Sequence, residues 1–162
     1  LRYFSPGSSV RAFESSVGRI GVLICEDLWH LPLPYLLAQD GAEVIIGIAA
    51  SPTRLSGPDA VLPTQRLNSE QHKAYARLLS TYVVFCNRVG FEDGVNFWGG
   101  SSILAPNGEV VAEAKLFEEG MIVAEVDRNE IRRARRLSRH FLDDRKDLVI
   151  RELKRISKSD HR

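Results

Sequence analysis

Three short apolar runs constrain the fold of this chain more than any other feature of its sequence. They cover residues 19–24, 42–50 (AEVIIGIAA) and 82–87 (YVVFCN), and each contains several β-branched or aromatic residues. Apolar runs of this length without alternation are typical of strands that are buried on both faces of a parallel sheet. Segments of helical composition separate the runs, so we predict an α/β protein built from right-handed strand-helix-strand units.

Two helices are predicted between these strands. The helix over residues 33–39 is entered past Pro32 and Pro34 and ends at Asp40 and Gly41, which together are a typical helix stop. Residues 64–80 contain neither glycine nor proline and carry a partly apolar stripe that we expect to face the core. The stripe consists of Leu67, Ala74 and Leu78.

The second half of the chain mixes further strands with helices. Residues 88–97 are charged and punctuated by glycine, which predicts a loop, whereas the Asn-Gly pair at 107–108 predicts a hairpin turn between two strands. Residues 121–126 (MIVAEV) are predicted to form another strand. A basic helix over 128–137 follows, and Asp127 is its expected N-cap.

Size and charge limit the kinds of partner to be expected. A length of 162 residues suits one domain, and 44% hydrophobic residues allow a substantial core. The 22 Lys and Arg residues nearly balance the 21 Asp and Glu residues, so neither a nucleic acid nor an anionic membrane is expected as a partner. No apolar run reaches the roughly 18 to 20 residues that span a bilayer. A small molecule or another protein is the expected partner.

The cysteines and histidines predict neither a disulfide framework nor a metal site. Cys25 and Cys86 both lie in apolar, strand-like runs, and no signal peptide is evident, which favours a reducing, cytoplasmic setting. The four histidines are scattered without the short spacings of zinc ligands. We therefore expect no metal and no cofactor. Cys86 is expected to be buried and inert.

Cys25 is the strongest candidate for a catalytic residue. It ends the first apolar run and is followed by Glu26, Asp27 and a predicted helix. Active sites of α/β proteins gather at strand ends, and a helix N-terminus directly after a cysteine would favour its thiolate form. The alternative is a strand cysteine that merely packs as a small hydrophobic residue.

Residues near Cys25 have both functional and structural interpretations. Ser51 begins a loop over 51–63 at the carboxyl end of the second strand, where it could contact substrate or simply form a turn. Trp29 could line a pocket for the acyl group or simply pack. Asp27 is more readily explained as a helix cap than as a catalytic group.

Several short motifs follow one another along the chain. They are Arg2-Tyr3-Phe4, Pro6-Gly7, Cys25-Glu26-Asp27, Gly41-Ala42-Glu43, Ala50-Ser51-Pro52, Asn87-Arg88-Val89-Gly90, Phe97-Trp98-Gly99-Gly100-Ser101 and Pro106-Asn107-Gly108-Glu109. In this order, and over about residues 1–130, they resemble the carbon-nitrogen hydrolase (nitrilase) superfamily. The form of residues 24–29 and 49–52 is most similar to the glutaminase domain of glutamine-dependent NAD synthetases and to related stand-alone amidases.

The resemblance implies a four-layer α-β-β-α sandwich, a two-fold pairing of subunits and a Glu-Lys-Cys triad that hydrolyses amides, nitriles or carbamoyl compounds. Cys25 matches the nucleophile, and the backbone N–H of Glu26 matches a donor to the oxyanion. The family's glutamate and lysine would lie before Leu1, and no residue here matches them. Residues 1–162 are therefore expected to be the carboxyl-terminal portion of one such domain and nearly inactive alone, since a missing general base costs about 10² to 10⁴ in rate.

Three functions remain open at this point. The first is hydrolysis of a small amide through a cysteine thioester, with release of ammonia, which the charged tail favours because it is similar to the end of a stand-alone family member. The second is the glutaminase portion of a glutamine-dependent NAD synthetase. The third is a non-catalytic half-domain that binds a full-length relative. A homodimer or higher oligomer is expected, and an upstream segment or second chain would complete the triad.

Overall fold

The computed structural model describes residues 5–53 and 63–159. These residues form a six-stranded sheet of order β1-β2-β3-β5-β8-β9, a three-stranded sheet of order β4-β7-β6, and four α-helices. The strands are β1 (Phe13–Ser15), β2 (Gly18–Ile24), β3 (Val44–Ala49), β4 (Pro52–Thr53), β5 (Tyr82–Asn87), β6 (Val89–Glu92), β7 (Val95–Trp98), β8 (Ser102–Leu104) and β9 (Val110–Glu113). The helices are α1 (Pro32–Gln39), α2 (Pro63–Leu79), α3 (Arg128–Leu137) and α4 (Lys146–Ser159), and 3-10 helices cover Cys25–Trp29 and Arg139–Phe141.

The three apolar runs form the parallel centre of the larger sheet, as predicted. β2 pairs with β3, and β3 pairs with β5, both in parallel. α1 connects β2 to β3, and Gly41, with a φ of 90°, follows its end at the predicted stop. The carboxyl ends of the three strands therefore lie along one edge of the sheet. The predicted loop over 51–63 lies mostly outside the described residues, as does the Arg2-Tyr3-Phe4 motif.

One face of this sheet is incompletely covered, so the prediction of strands buried on both faces is wrong at the carboxyl ends. Ile24 is 65% exposed and Ile48 is 49% exposed, although both belong to central strands. Cys86 pairs with Ile48 and is also exposed, which corrects the expectation that it is buried. α1 and α2 pack on the opposite face of the sheet. We refer to Ile24, Ile48 and Cys86 as the open patch.

α2 faces the sheet with a different stripe from the one predicted. Its buried residues are more polar than those of the predicted stripe, whereas Leu67 and Leu78 are exposed. The His72 ring packs at 4.5 Å from the ring of Phe85 on β5, and the polar atoms of neighbouring α2 residues bind backbone groups. Apolar periodicity alone could not detect such a face. The buried residues are Asn68, His72, Tyr75 and Ala76.

Burial of His72 predicts a dependence of stability on pH. Desolvation lowers the pKa of His72 to about 4, from about 6.5 in an unfolded chain. The folded state then holds His72 neutral while the unfolded state binds a proton, so stability is full above about pH 6.5 and falls towards pH 4 by about 3 kcal/mol. Urea unfolding measured across this range should show the loss.

The variant His72→Phe isolates this effect, because it removes both the titration and the buried, unpaired Nε2 atom. We expect a smaller loss of stability between pH 6.5 and 4 in this variant than in the parent. His30, whose side chain is 61% exposed, provides the matched control, and His30→Gln should retain the parental pH dependence. A parental pH dependence in His72→Phe would assign the loss to other groups.

In the second half of the chain, two predictions of secondary structure are wrong, and the others, including the helix over 128–137, are confirmed. Residues 88–97 form the hairpin of β6 and β7 rather than a loop, because Asp93 and Gly94 both have a positive φ that suits a tight two-residue turn. Residues 121–126 form no strand. The hairpin of β8 and β9 is confirmed, and so is the Asp127 cap, whose Oδ1 accepts a hydrogen bond from the N–H of Asn129.

Candidate functional site

Cys25 lies at the carboxyl edge of the parallel strands, directly after β2. Its side chain is exposed, and its φ of 51° places the backbone in the left-handed region. A residue with a Cβ pays about 1–2 kcal/mol in that conformation, and such strain persists only where surrounding contacts impose it. The contacts around Cys25 should therefore be unusually restrictive.

The turn after Cys25 is held at its entrance by Asp27. The Oδ2 atom of Asp27 accepts a hydrogen bond of 2.9 Å from the N–H of Ile24, which is the residue before the cysteine. The carbonyl of Asp27 accepts a further bond of 3.2 Å from the N–H of His30. Asp27 thus shapes the turn that carries Cys25, in agreement with its predicted structural role.

Leu28 fixes the same turn to the core. Its side chain is only 1% exposed and fills a notch above β3, where a Cβ added to Gly47 would lie 2.5 Å from its Cδ1 atom. It belongs to the main hydrophobic cluster, together with Phe85 and Trp98. Because Leu28 follows Cys25 by three residues, packing of the core restricts where the cysteine can lie.

The helix expected directly after Cys25 is shorter and of a different type. Cys25 begins a five-residue 3-10 helix, and α1 begins only at Pro32. The first turn of an α-helix tolerates proline, since its first N–H groups have no intrahelical partner, and this explains why α1 begins there. The expected dipole of an α-helix next to the cysteine is therefore not part of the site.

Two further predicted residues share the turn with Cys25. The side chain of Glu26 points to solvent, with one carboxylate oxygen 3.9 Å from Nε2 of His30. Trp29 ends the 3-10 helix and is 45% exposed, so its ring is not part of the core. The roles of the Glu26 N–H and the Trp29 ring remain predictions.

Ser51 lies at the same edge of the sheet, and Asn87 holds it there. The amide of Asn87, buried at the end of β5, accepts a hydrogen bond of 2.8 Å from the N–H of Ser51 and donates one of 2.9 Å to the carbonyl of Gly99. The sequence motif that begins with Asn87 assigns this residue no role. Its position does indicate one, because an amide side chain at the end of an apolar strand lies on the same edge of the sheet as Cys25.

The described residues reveal neither a metal centre nor a membrane span. Among residues 5–53 and 63–159, no group of three or more His, Cys, Asp or Glu side chains could hold a metal ion. Within those same ranges, every helix is too short or too polar to cross a bilayer.

These features define an α/β protein whose candidate site is an exposed, conformationally strained cysteine at the carboxyl ends of the parallel strands of a mixed sheet. The sequence profile of the carbon-nitrogen hydrolase family matches residues 2–136. The chain belongs to this family.

Known proteins support the assignment and indicate how much of each relative's length the chain spans. It is 33% identical to the glutamine-dependent NAD(+) synthetase of Thermotoga maritima over 80% of this chain, but over only 22% of that enzyme. It is 31% identical to the N-carbamoylputrescine amidase of Arabidopsis thaliana over 90% of this chain and 51% of the enzyme. The chain thus spans about a fifth of the former and about half of the latter.

The solved structures confirm the fold. A carbon-nitrogen hydrolase from Helicobacter pylori superposes with a TM-score of 0.81 at 27% identity, over 94% of this chain and 55% of that one. The predicted α/β architecture of the nitrilase type is therefore confirmed.

Proposed function

We infer that this chain carries the nucleophile of a cysteine-dependent hydrolase that cleaves the C–N bond of a small amide and releases ammonia. The single observation that carries this proposal is the position of Cys25, exposed and strained at the edge of the parallel strands, inside the region that matches the family. A thiol that was merely a packing residue would gain nothing from a left-handed backbone and a solvent-exposed side chain.

The proposed chemistry proceeds through a thioester. The thiolate sulfur of Cys25 attacks the amide carbon, and the carbonyl electron pair moves to oxygen to form a tetrahedral oxyanion. Collapse of this species breaks the C–N bond, and the nitrogen leaves as ammonia after accepting a proton. Water then attacks the thioester carbon, which releases the carboxylic acid and restores the thiol.

Residues of this chain contribute to binding and to the stabilisation of charge. The backbone N–H of Glu26 is the proposed donor to the oxyanion, a role that typically contributes about 10² to 10³ in rate. Trp29 and Ser51 are the proposed substrate contacts. The proton-transferring glutamate and the stabilising lysine are proposed to come from an upstream segment or a second chain.

The open patch supports a further layer on this face of the sheet. Ile24 and Ile48 expose apolar surface beside Cys25, and burial of such surface is favourable by about 25 cal/mol per Å². A second sheet packed there would cover both side chains and bring its own residues to the cysteine. Residues 1–162 would then be the carboxyl-terminal portion of one domain, which would further assemble as a homodimer or higher oligomer.

Two alternatives remain. The glutaminase portion of an NAD synthetase is favoured by the similarity to the Thermotoga maritima enzyme, and its substrate would be glutamine. The other alternative is a non-catalytic half-domain that binds a full-length relative. Both cysteines are free, and the proposed thiol chemistry suits a reducing compartment such as the cytoplasm.

Ammonia release across a panel of substrates tests the proposal. The panel contains glutamine, asparagine, simple amides and N-carbamoyl amino acids, and the protein is the product of the complete reading frame that includes residues 1–162. We expect release from at least one class, with a preference for glutamine if the second alternative is correct. A complete product that releases no ammonia from any of them would favour the non-catalytic half-domain.

A further inference from the structure

The turn that carries Cys25 is bound at its far end by two side chains from α2. The carbonyl oxygen of Leu28 accepts a hydrogen bond of 2.7 Å from Nε2 of Gln71 and another of 2.8 Å from the hydroxyl of Tyr75. The Nε2 group of Gln71 also donates to the Tyr75 hydroxyl, at 3.0 Å. Each of the three groups is hydrogen-bonded to the other two, and we call this arrangement the Leu28 clamp.

The Leu28 clamp is built on a rigid support. Gln71 and Tyr75 are four residues apart and therefore lie on the same side of α2. The Tyr75 ring is buried in a cluster with Val83 on β5 and Leu104 on β8, so the sheet fixes its orientation. Its hydroxyl reaches from this cluster to a turn 47 residues earlier in the chain.

The clamp and Asp27 together restrain the nucleophile turn from both sides. Asp27 binds the N–H of Ile24 before the cysteine, and the clamp binds the carbonyl of Leu28 after it. Cys25 lies between these two restraints with its φ of 51°. A left-handed residue relaxes to an ordinary conformation when its surroundings allow it, and this relaxation would redirect the sulfur.

We propose that Gln71 and Tyr75 are positioning residues that hold Cys25 in its attacking orientation through the carbonyl of Leu28. The inference rests on the proposed function of Cys25. Neither side chain acts on the substrate itself. Their contribution is to orientation, for which misplacement by about 1 Å can lower a rate by about 10²-fold.

The variants Tyr75→Phe and Gln71→Met test the clamp, because each removes a donor and keeps most of the side-chain volume. In the complete hydrolase, we expect the double variant to lower kcat by about tenfold. The value of KM should stay within about twofold of the parent, since substrate contacts are intact.

A matched control separates positioning from a general loss of stability. Tyr82→Phe removes another buried tyrosine hydroxyl, which bonds to Glu130 and to the N–H of Asp127. Tyr82 begins β5 and therefore lies at the opposite end of the strand from the candidate site. This variant should lose stability without the loss in kcat.

Thiol labelling provides a readout that does not require hydrolysis. Iodoacetamide labelling of the complete hydrolase, followed by peptide mass spectrometry, gives the rate constant of the exposed Cys25 separately from that of Cys86, and free cysteine in the same solution is the reference thiol. In the double clamp variant, the labelling ratio, which is the Cys25 rate constant divided by that of free cysteine, should change by about threefold or more. In Tyr82→Phe, the ratio should match the parent.

The two readouts separate failure of the clamp from failure of the proposed function. A parental kcat together with a parental labelling ratio in the double variant would overturn the clamp and leave the hydrolase intact. A changed labelling ratio in a protein that hydrolyses nothing would support the clamp and reject the proposed function. Equal losses of kcat in Tyr82→Phe and in the double variant would overturn the positioning role, because the loss would then follow from lower stability alone.

Discussion

Replacement of Cys25 by alanine should abolish ammonia release by the complete hydrolase, lowering kcat by about 10⁴-fold or more. The expected loss is this large because the sulfur forms and breaks a covalent bond in the proposed reaction, and no other group can replace it. The substitution removes only the sulfur atom of an exposed side chain, so folding should be retained. Steady-state ammonia release and urea unfolding of Cys25→Ala together check both statements.

Cys86→Ala is the matched control for this experiment. Cys86 is also exposed and lies on β5, the third of the parallel strands, but inside a regular strand rather than in a strained turn. We expect its kcat to stay close to that of the parent. If Cys86→Ala lost activity and Cys25→Ala retained it, the assignment of the nucleophile would be wrong.

Replacement of Leu28 by alanine should produce the largest loss of stability near the site, about 2–5 kcal/mol. The side chain is almost fully buried against β3 and the main hydrophobic cluster, and its removal leaves a cavity that the sheet cannot close. Since small proteins are stable by about 5–15 kcal/mol, such a loss should be clear in the midpoint of urea unfolding.

Leu31→Ala removes the same atoms three residues later, where the side chain is 66% exposed. We expect this control to change stability by less than about 0.5 kcal/mol. Similar losses in both variants would contradict the anchoring role of Leu28. Because the Leu28 side chain anchors the segment whose carbonyl the clamp binds, Leu28→Ala should additionally change the labelling ratio of Cys25 to free cysteine, whereas Leu31→Ala should not.

Local sequence patterns predicted the central strands because each run is apolar enough to form a sheet core in any context. The hairpin at 89–98 is not predicted because each of its strands has only four residues, although the Asp93-Gly94 pair is a hairpin signal. The buried face of α2 was missed for another reason. The His72 ring packs against the ring of Phe85, and the Tyr75 hydroxyl donates to the carbonyl of Leu28. Because these partners lie elsewhere in the sequence, no local pattern predicts that His72 and Tyr75 face the core.

The sequence predicts the position of Cys25 but not the side chains that hold the surrounding backbone in place. The position of Cys25 follows from an apolar strand that ends in a cysteine, and the structure places it at the expected edge. Asn87, Gln71 and Tyr75 form hydrogen bonds with groups that lie 36 to 47 residues away in sequence. Only the folded backbone brings these groups to the site. The catalytic role of Cys25 itself remains a proposal.

The most direct test of that proposal is mass spectrometry of the complete hydrolase, quenched in acid during turnover of the amide with the highest rate in the panel. We predict that the acyl group is found as a thioester on the peptide that contains Cys25, and that it is missing from Cys25→Ala. Turnover at the parental rate with no acyl group on Cys25, or with the acyl group on Cys86, would contradict the assignment.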